Sequence, residues 1–449
     1  MEALEHISLI DTMIRRRSRR FALGARMTAH PFQFESRHAP VPLTPEEEAV
    51  IVFAGTGITG FSLGDLPYGE DRSVGGGEIM VNAIARTIPS ADGVNAVTPF
   101  VMNDEGTFYI KRPQDYPSDA IPELAELARE RAFGALYDRA KVRIANRRAE
   151  VPRELPFTPP FNLWSSNVPS STYFVLVSEV TGFALTLLFL VLGEEMGYFI
   201  YDERNGYKPA GLKPFARSKG GHLYDDPNDL RVGTIKDIES YVMELMGVEQ
   251  GLMIQNMQLA AEALGLGSFP HYGAQQWSWF EALGFTTENF KLSKIMAAPA
   301  WKARIMDMVN KNPSIPVALG LEVEGEPIIK PYCPPYYDSM EAAVHAFVDT
   351  KYAQGRGIFR DPSAGSAWKD PQYAQDKIIK YSQKTIDAVV AYCSYVYERY
   401  GRFLGSFGPL RNLMAFQVHH IDTEFYDRHY APGAYHEKHT EHFRSWHER

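Results

Sequence analysis

Arg15-Arg16-Arg17-Ser18-Arg19-Arg20 places five guanidinium groups and a hydroxyl within six consecutive residues. Guanidinium forks together with hydroxyl or amide donors are what a phosphate group needs. The same run also suits a solvated basic patch, or an address for an acidic surface. Further on, Arg86-Thr87-Ile88-Pro89-Ser90-Ala91-Asp92-Gly93-Val94-Asn95 holds Ser90 and Asn95 in a turn-like setting. Amide and hydroxyl groups there could both donate hydrogen bonds to a ligand and accept them from it, or simply close a Ser/Asn/Gly turn. Phe269-Pro270-His271-Tyr272-Gly273 contains an imidazole that titrates near neutrality, placed among aromatic residues that could equally make it structural. The C-terminus gathers His419, His420, His429, His436, His439, His442 and His447 with Asp422, Glu424 and Asp427. Imidazoles and carboxylates together bind zinc, iron or nickel. His436, His439 and His442, spaced by three, could share a helical face. No His-Glu-x-x-His spacing occurs, so this tail is read as a docking arm over a second subunit, with no metal expected.

These groups need elements to hold them. Residues 1–25 read as a helix leading into the arginines. Thr44-Pro45-Glu46-Glu47 is a helix start, with a Thr cap, Pro at the first position and acids in the first turn. Gly55-Thr56-Gly57-Ile58-Thr59-Gly60 fits Gly-x-Gly-x-x-Gly, but a helix precedes it where a dinucleotide fold requires a strand. Thr98–Met102 and Thr107–Ile110 read as a hairpin around Asn103-Asp104-Glu105-Gly106. Residues 122–149 read as a charged, exposed helix, and 151–171 as a proline-rich connection. Tyr173–Ser178 reads as a buried strand and Phe183–Leu192 as a buried helix. Residues 202–233 read as a polar loop insertion or lid. Gly251–Gly267 is rich in Ala, Met and Leu and stops at glycine, which marks a helix apolar on nearly every side, suited to a domain centre or a subunit interface. Ile315–Leu321 reads as a last core strand. Met340–Gln354 and Ala374–Tyr400 read as helices.

Bulk properties narrow the classes. The chain has 449 residues, 45% apolar and 22% charged, as in soluble globular proteins. A net charge of -9 argues against general nucleic-acid binding. The uncharged run Val180–Gly193 falls short of the ~20 residues needed to span a bilayer, so no membrane segment is expected. Cys333 and Cys393 match no metal spacing, and a reduced, cytoplasmic setting is the simplest reading.

Taken in order, the arginine run, the Pro89-Ser90…Asn95 turn, the Gln255-Asn256…Ala260-Ala261-Glu262-Ala263-Leu264-Gly265-Leu266-Gly267-Ser268 helix end and Phe269-Pro270-His271-Tyr272-Gly273 resemble the nitroreductase-like FMN-dependent oxidoreductases. The Arg86…Pro89-Ser90 stretch is similar to the azoline-oxidising branch that matures thiazole and oxazole peptides. The resemblance implies an α+β fold with a central, mostly antiparallel sheet flanked by helices and a long buried central helix. It implies a homodimer with FMN at the subunit interface. The matching part reads as an FMN-binding domain over 1–338, with an insertion at about 110–235; beyond about residue 338 the character changes, and 339–449 reads as a helical C-terminal extension ending in a His/Tyr-rich arm. The resemblance assigns Arg16, Arg17, Ser18 and Arg20 to the phosphate, Pro89, Ser90 and Asn95 to the flavin ring, and the Pro270–Gly273 backbone to the flavin's reactive edge. Lys330, in Pro327-Ile328-Ile329-Lys330-Pro331, stands as a second phosphate cation. His271 and Tyr272 stand at the reacting end, His271 as a candidate proton donor and Tyr272 where the family has Glu.

The implied activity is hydride transfer through flavin N5, with NAD(P)H as a transient donor and a small-molecule acceptor or substrate. Two other readings stay open: a flavin-binding or structural relative without turnover, and a metal-dependent enzyme built on the C-terminal histidines.

Overall fold

The computed structural model describes residues 8–67, 79–272 and 276–447. Its centre is a six-stranded antiparallel sheet. From edge to edge the strands are Gly267–Tyr272, Leu410–His419, Thr172–Glu179, Val97–Asn103, Gly106–Ile110 and Lys141–Ala145. Thr172–Glu179 is buried along its whole length. Phe174 and Leu176 face one way, toward the central helix; Tyr173, Val175 and Val177 face the other way, toward Trp279 and Phe280. A strand covered on both faces shows an unbroken apolar run instead of alternation.

The central helix is Ile235–Leu264. Thr234 and Asp237 form a reciprocal capping box at its start, and Gly265 closes it in the left-handed conformation with φ 77°. Its first half packs Ile235, Val242 and Met246 against helix Thr181–Val191 and the later helices Met340–Tyr352 and Gln383–Tyr400. Its second half lays Met253, Met257 and Ala261 on the sheet. One stripe of this helix faces outward from the single chain, with Tyr241 49%, Val248 61% and Leu252 37% exposed. The expected hairpin forms with Phe100 opposite Tyr109, and the Thr44 cap forms a capping box with Glu47. A strand, Ile58–Phe61, follows helix Pro45–Thr56, so the Gly55–Gly60 pattern joins a helix to a strand. Among the described residues, no helix is long and apolar enough to cross a membrane.

Several expectations change. Residues 122–149 form two short helices, Ile121–Arg129 and Phe133–Ala140, and then the edge strand Lys141–Ala145. Arg131 adopts φ 57° between the helices, which breaks any continuous one. Residues 374–400 split into Pro371–Lys377 and Gln383–Tyr400, because Ser382 caps a new start. The stretch expected as an insertion, 110–235, supplies the middle strand Thr172–Glu179 of the main sheet. Residues 202–233 are no lid: Ala210, Leu212, Ala216 and Leu223 are buried in the core under a small sheet that includes Phe199–Asp202 and Val232–Thr234. Ser314–Val323 belongs to a separate three-stranded sheet. The last strand of the main sheet is Leu410–His419, inside the segment read as a helical extension and not expected from the sequence.

Candidate functional site

Helix Leu9–Arg15 ends at the arginine run, and the chain leaves it toward the edge strand Gly267–Tyr272, where the Arg19 N–H donates to the Ser268 carbonyl at 3.0 Å. The arginines then diverge. Arg19 is buried and pairs with Glu262 of the central helix at 2.6 Å, while its Nε donates to the Ala434 carbonyl at 2.8 Å. Ser18 lies 3.5 Å from Gln258, one turn before Glu262, so one face of the central helix holds the run. Arg17 is exposed, and its guanidinium donates to the Ile14 and Arg16 carbonyls at 3.1 and 2.9 Å. Arg16 is half-buried.

Arg20 donates through Nη2 to Asn162 Oδ1 at 2.6 Å and Ser165 Oγ at 2.8 Å, and its guanidinium lies over the rings of Phe269 and Trp164. Its Nε is buried and has no hydrogen-bond partner among the described residues. Burial lowers its pKa, and the compensating charge effect comes from Tyr426 with no carboxylate contributing. Arg17, Ser18, Arg19 and Arg20 wall a cavity of 340 Å³ with Phe21, Trp164, Phe425, Tyr426 and Tyr430. That volume falls in the ~300–1,000 Å³ range of small-molecule sites.

Asn162, which accepts from Arg20, lies beside His271, its Nδ2 3.3 Å from His271 Nδ1. The same ring nitrogen is 2.9 Å from the Tyr272 carbonyl, and Nε2 is 3.1 Å from the Tyr173 hydroxyl. Both imidazole nitrogens are thus engaged inside the fold. Burial, the main cause, pushes the His271 pKa down to about 4, so the ring is neutral near pH 7. Tyr272 is exposed, and Pro270 is half-buried opposite Phe416 on the edge strand. Gly273 lies outside the described residues.

Pro89, Ser90 and Asn95 lie elsewhere. They line a cavity of 410 Å³ together with Arg86 and Asp92, and it shares no lining residue with the arginine cavity. Ser90 Oγ donates to Glu249 Oε2 at 2.9 Å and accepts the Asn95 N–H at 2.8 Å. Glu249, on the central helix, also pairs with Arg86 and accepts the Val97 N–H at 3.2 Å. Asn95 is buried at φ 50°, its side-chain amide turned back to the Gly93 carbonyl at 3.1 Å. Lys330 is exposed beside a neighbouring 580 Å³ pocket, its Nζ 4.4 Å from the Tyr337 ring centre; Ile84 lines both cavities. Within one chain, then, Arg17, Ser18 and Arg20 share one cavity, with His271 beside Asn162. Pro89, Ser90 and Asn95 line a second cavity and Lys330 a third, which shares Ile84 with it.

Sequence reasoning missed Arg19, Glu262, Glu249, Asn162 and Trp164. Glu249 and Glu262 carried a readable signal: a carboxylate inside an apolar helix must find a cation.

The tail folds back on its own chain and not outward as an arm. Phe425 stacks on Phe21 at 4.0 Å, and His419 ends a strand of the main sheet. His436 and His439 lie at Glu262, whereas His442 meets Glu47 and His420. Among the described residues, Glu47–His420–His442, Glu262–His436–His439 and His38–Asp422–Glu424 have donor atoms grouped closely enough to hold an ion.

No family model and no curated protein sequence matches the chain. Among solved structures it is similar to a "putative nitroreductase" from Ralstonia eutropha JMP134, at 13% identity over 62% of this chain and 75% of that one, with a TM-score of 0.28. An overlap that slight carries no argument about what this chain does.

Proposed function

We propose that the chain is an FMN-dependent oxidoreductase acting as a homodimer, with NAD(P)H as donor and a small molecule as acceptor. The reading rests on Arg20. A half-buried guanidinium that has, among the described residues, no carboxylate partner and no bond at Nε, beside an aromatic-walled cavity, is short of an anion. A phosphate-bearing planar ligand fits that deficit. Arg17, Ser18 and Arg20 would hold the phosphate, with Arg16 beside them. Arg19 is committed to Glu262 and sets the position of the loop.

Pro89, Ser90, Asn95 and Lys330 would reach the same ligand from the second subunit, since within one chain they line separate cavities. The outward stripe Tyr241, Val248 and Leu252 is the face on which two copies would meet. Bound FMN would supply hydride acceptance and donation at its ring. Neutral His271 would pack beside Asn162, the residue that holds Arg20, and exposed Tyr272 would offer its hydroxyl to substrate. The aromatic wall would exclude water. The acceptor would be a nitro, quinone or enone compound, or the electron flow would run outward from an azoline-like product. Cys333 and Cys393, both buried thiols, suit a reducing compartment.

The test is purified untagged protein. It should be yellow, bleach with NAD(P)H and recover with an acceptor. Colourless protein that ignores added FMN overturns the proposal. One observation favours a second reading, flavin binding without turnover: neither His271 nitrogen is open to a substrate proton. That reading predicts bound FMN and no NAD(P)H consumption with any acceptor.

A further inference from the structure

Three side chains from distant parts of the chain meet beside the C-terminal end of the central helix. Glu47 sits in the first turn of Pro45–Thr56, His420 directly follows strand Leu410–His419, and His442 lies on the C-terminal helix Glu437–His447. His442 Nε2 is 2.8 Å from His420 Nδ1 and 3.1 Å from Glu47 Oε1. Glu47 Oε2 is 3.8 Å from His420 Nε2.

Glu47 and His420 are fixed from behind. Glu47 Oε2 accepts the Thr44 N–H at 2.8 Å. His420 Nε2 is 3.2 Å from the Pro42 carbonyl. The Pro42 carbonyl only accepts, so His420 Nε2 carries the hydrogen and the neutral ring presents its Nδ1 lone pair to His442 Nε2 at 2.8 Å. Glu47 Oε1 lies 3.1 Å from that same His442 nitrogen. Two imidazole nitrogens and a carboxylate oxygen thus converge closely enough to share one cation.

We propose that Glu47, His420 and His442 bind a divalent transition metal, zinc or iron(II). Two imidazoles and one carboxylate are a donor set of such sites, with a further position left for water. Bonds of ~2.0–2.1 Å at a tetrahedral angle put donors about 3.3 Å apart. The His442–His420 and His442–Glu47 separations of 2.8 and 3.1 Å need to widen by only a few tenths of an ångström, and all three ligand atoms lie within 4.8 Å of one another. The Pro42 carbonyl behind His420 is the outer support that ligating histidines use. The ion would fasten the C-terminal helix to the core beside Gly265, where the chain passes so close that a β-carbon would lie 2.6 Å from the Lys438 carbonyl oxygen. The neighbouring Glu262–His436–His439 group is a different case, because Glu262 is already bound to Arg19 at 2.6 Å.

The experiment uses full-length untagged protein and elemental analysis after desalting. About one zinc or iron per chain is expected. Chelation should remove it and lower Tm, and Zn²⁺ added back should restore both. His442→Ala and Glu47→Gln should fall to near zero metal, while His436→Ala should keep it. His442 lies on the terminal helix, and a native circular dichroism spectrum will show that its variant is folded. The zinc titration of the chelator-treated natural chain stands apart from every variant. No stoichiometric metal with no thermal response to Zn²⁺ would overturn the proposal in favour of a shared proton. Metal retained by His442→Ala would overturn it as well.

Discussion

Removing the charge of Glu262 should be among the costliest single changes in this chain. Glu262 and Arg19 have side chains only 2% exposed, and they meet at 2.6 Å. Breaking a buried pair by removing one partner costs ~3–5 kcal/mol, because the remaining charge is left in a poorly solvating interior. Arg19 keeps its bond to the Ala434 carbonyl in Glu262→Gln, so the lower end, about 3 kcal/mol, is expected. With a urea slope of roughly 3 kcal/mol/M or steeper for a chain this long, the unfolding midpoint should fall by about 1 M or somewhat less. Arg19→Met combined with Glu262→Leu replaces both charges by apolar groups. It should recover most of the loss, giving a coupling of ~2–3 kcal/mol in the double-mutant cycle. Arg15 and Glu437 provide the contrast: they pair at 3.4 Å with side chains 45% and 71% exposed. Glu437→Gln should change stability by less than ~0.5 kcal/mol. If Glu262→Gln moves the midpoint no more than Glu437→Gln does, the central helix does not anchor the arginine run and the argument fails.

On the proposed flavin reading, Arg20→Ala should raise the Kd for FMN by roughly 10- to 150-fold, from the ~1.5–3 kcal/mol of a hydrogen bond to a charged group, in flavin fluorescence titrations; unchanged affinity would remove Arg20 from the site. If the chain is the proposed homodimer, Val248→Asp with Leu252→Asp should leave it monomeric in light scattering, because both side chains lie on the outward stripe; a dimer that persists would place the interface elsewhere. His271 is held to about 4, below the ordinary ~6.5 of histidine, so its folded form is the neutral one. Its contribution to stability is complete above ~pH 6.5 and is lost as pH falls through 4. His271→Gln should therefore flatten the decline of the urea midpoint between pH 6.5 and 4, and an unaltered slope would contradict the assignment. Gly265→Ala demands φ 77° from an L residue and sets its β-carbon 2.6 Å from the Lys438 carbonyl oxygen. A loss of at least ~1–2 kcal/mol is expected, together with faster proteolysis of the C-terminal helix; a neutral result would mean that this contact is loose.

What the sequence disclosed and what it concealed divide along the range of the interactions. Thr44 with Glu47, the Asn103–Gly106 turn and Gly265 are settled by residues within a few positions of one another, and all three form as read. Strand Leu410–His419 escaped because its partners, Thr172–Glu179 and Gly267–Tyr272, lie far back in the chain. Its burial on both faces also removes the alternation that would have marked it. The arginine run shows the same limit at finer grain. Spacing says that a cluster of guanidinium groups seeks anions, yet it cannot say which one a carboxylate of this chain already holds. Glu249 and Glu262 resolve that count: each sits in an apolar helix where an unpaired carboxylate is untenable, and each takes a cation, Arg86 and Arg19. The number of cations free for a ligand is therefore smaller than the number present. Within the run, Arg20 is half-buried and held by neutral partners, so burial leaves it in want of charge.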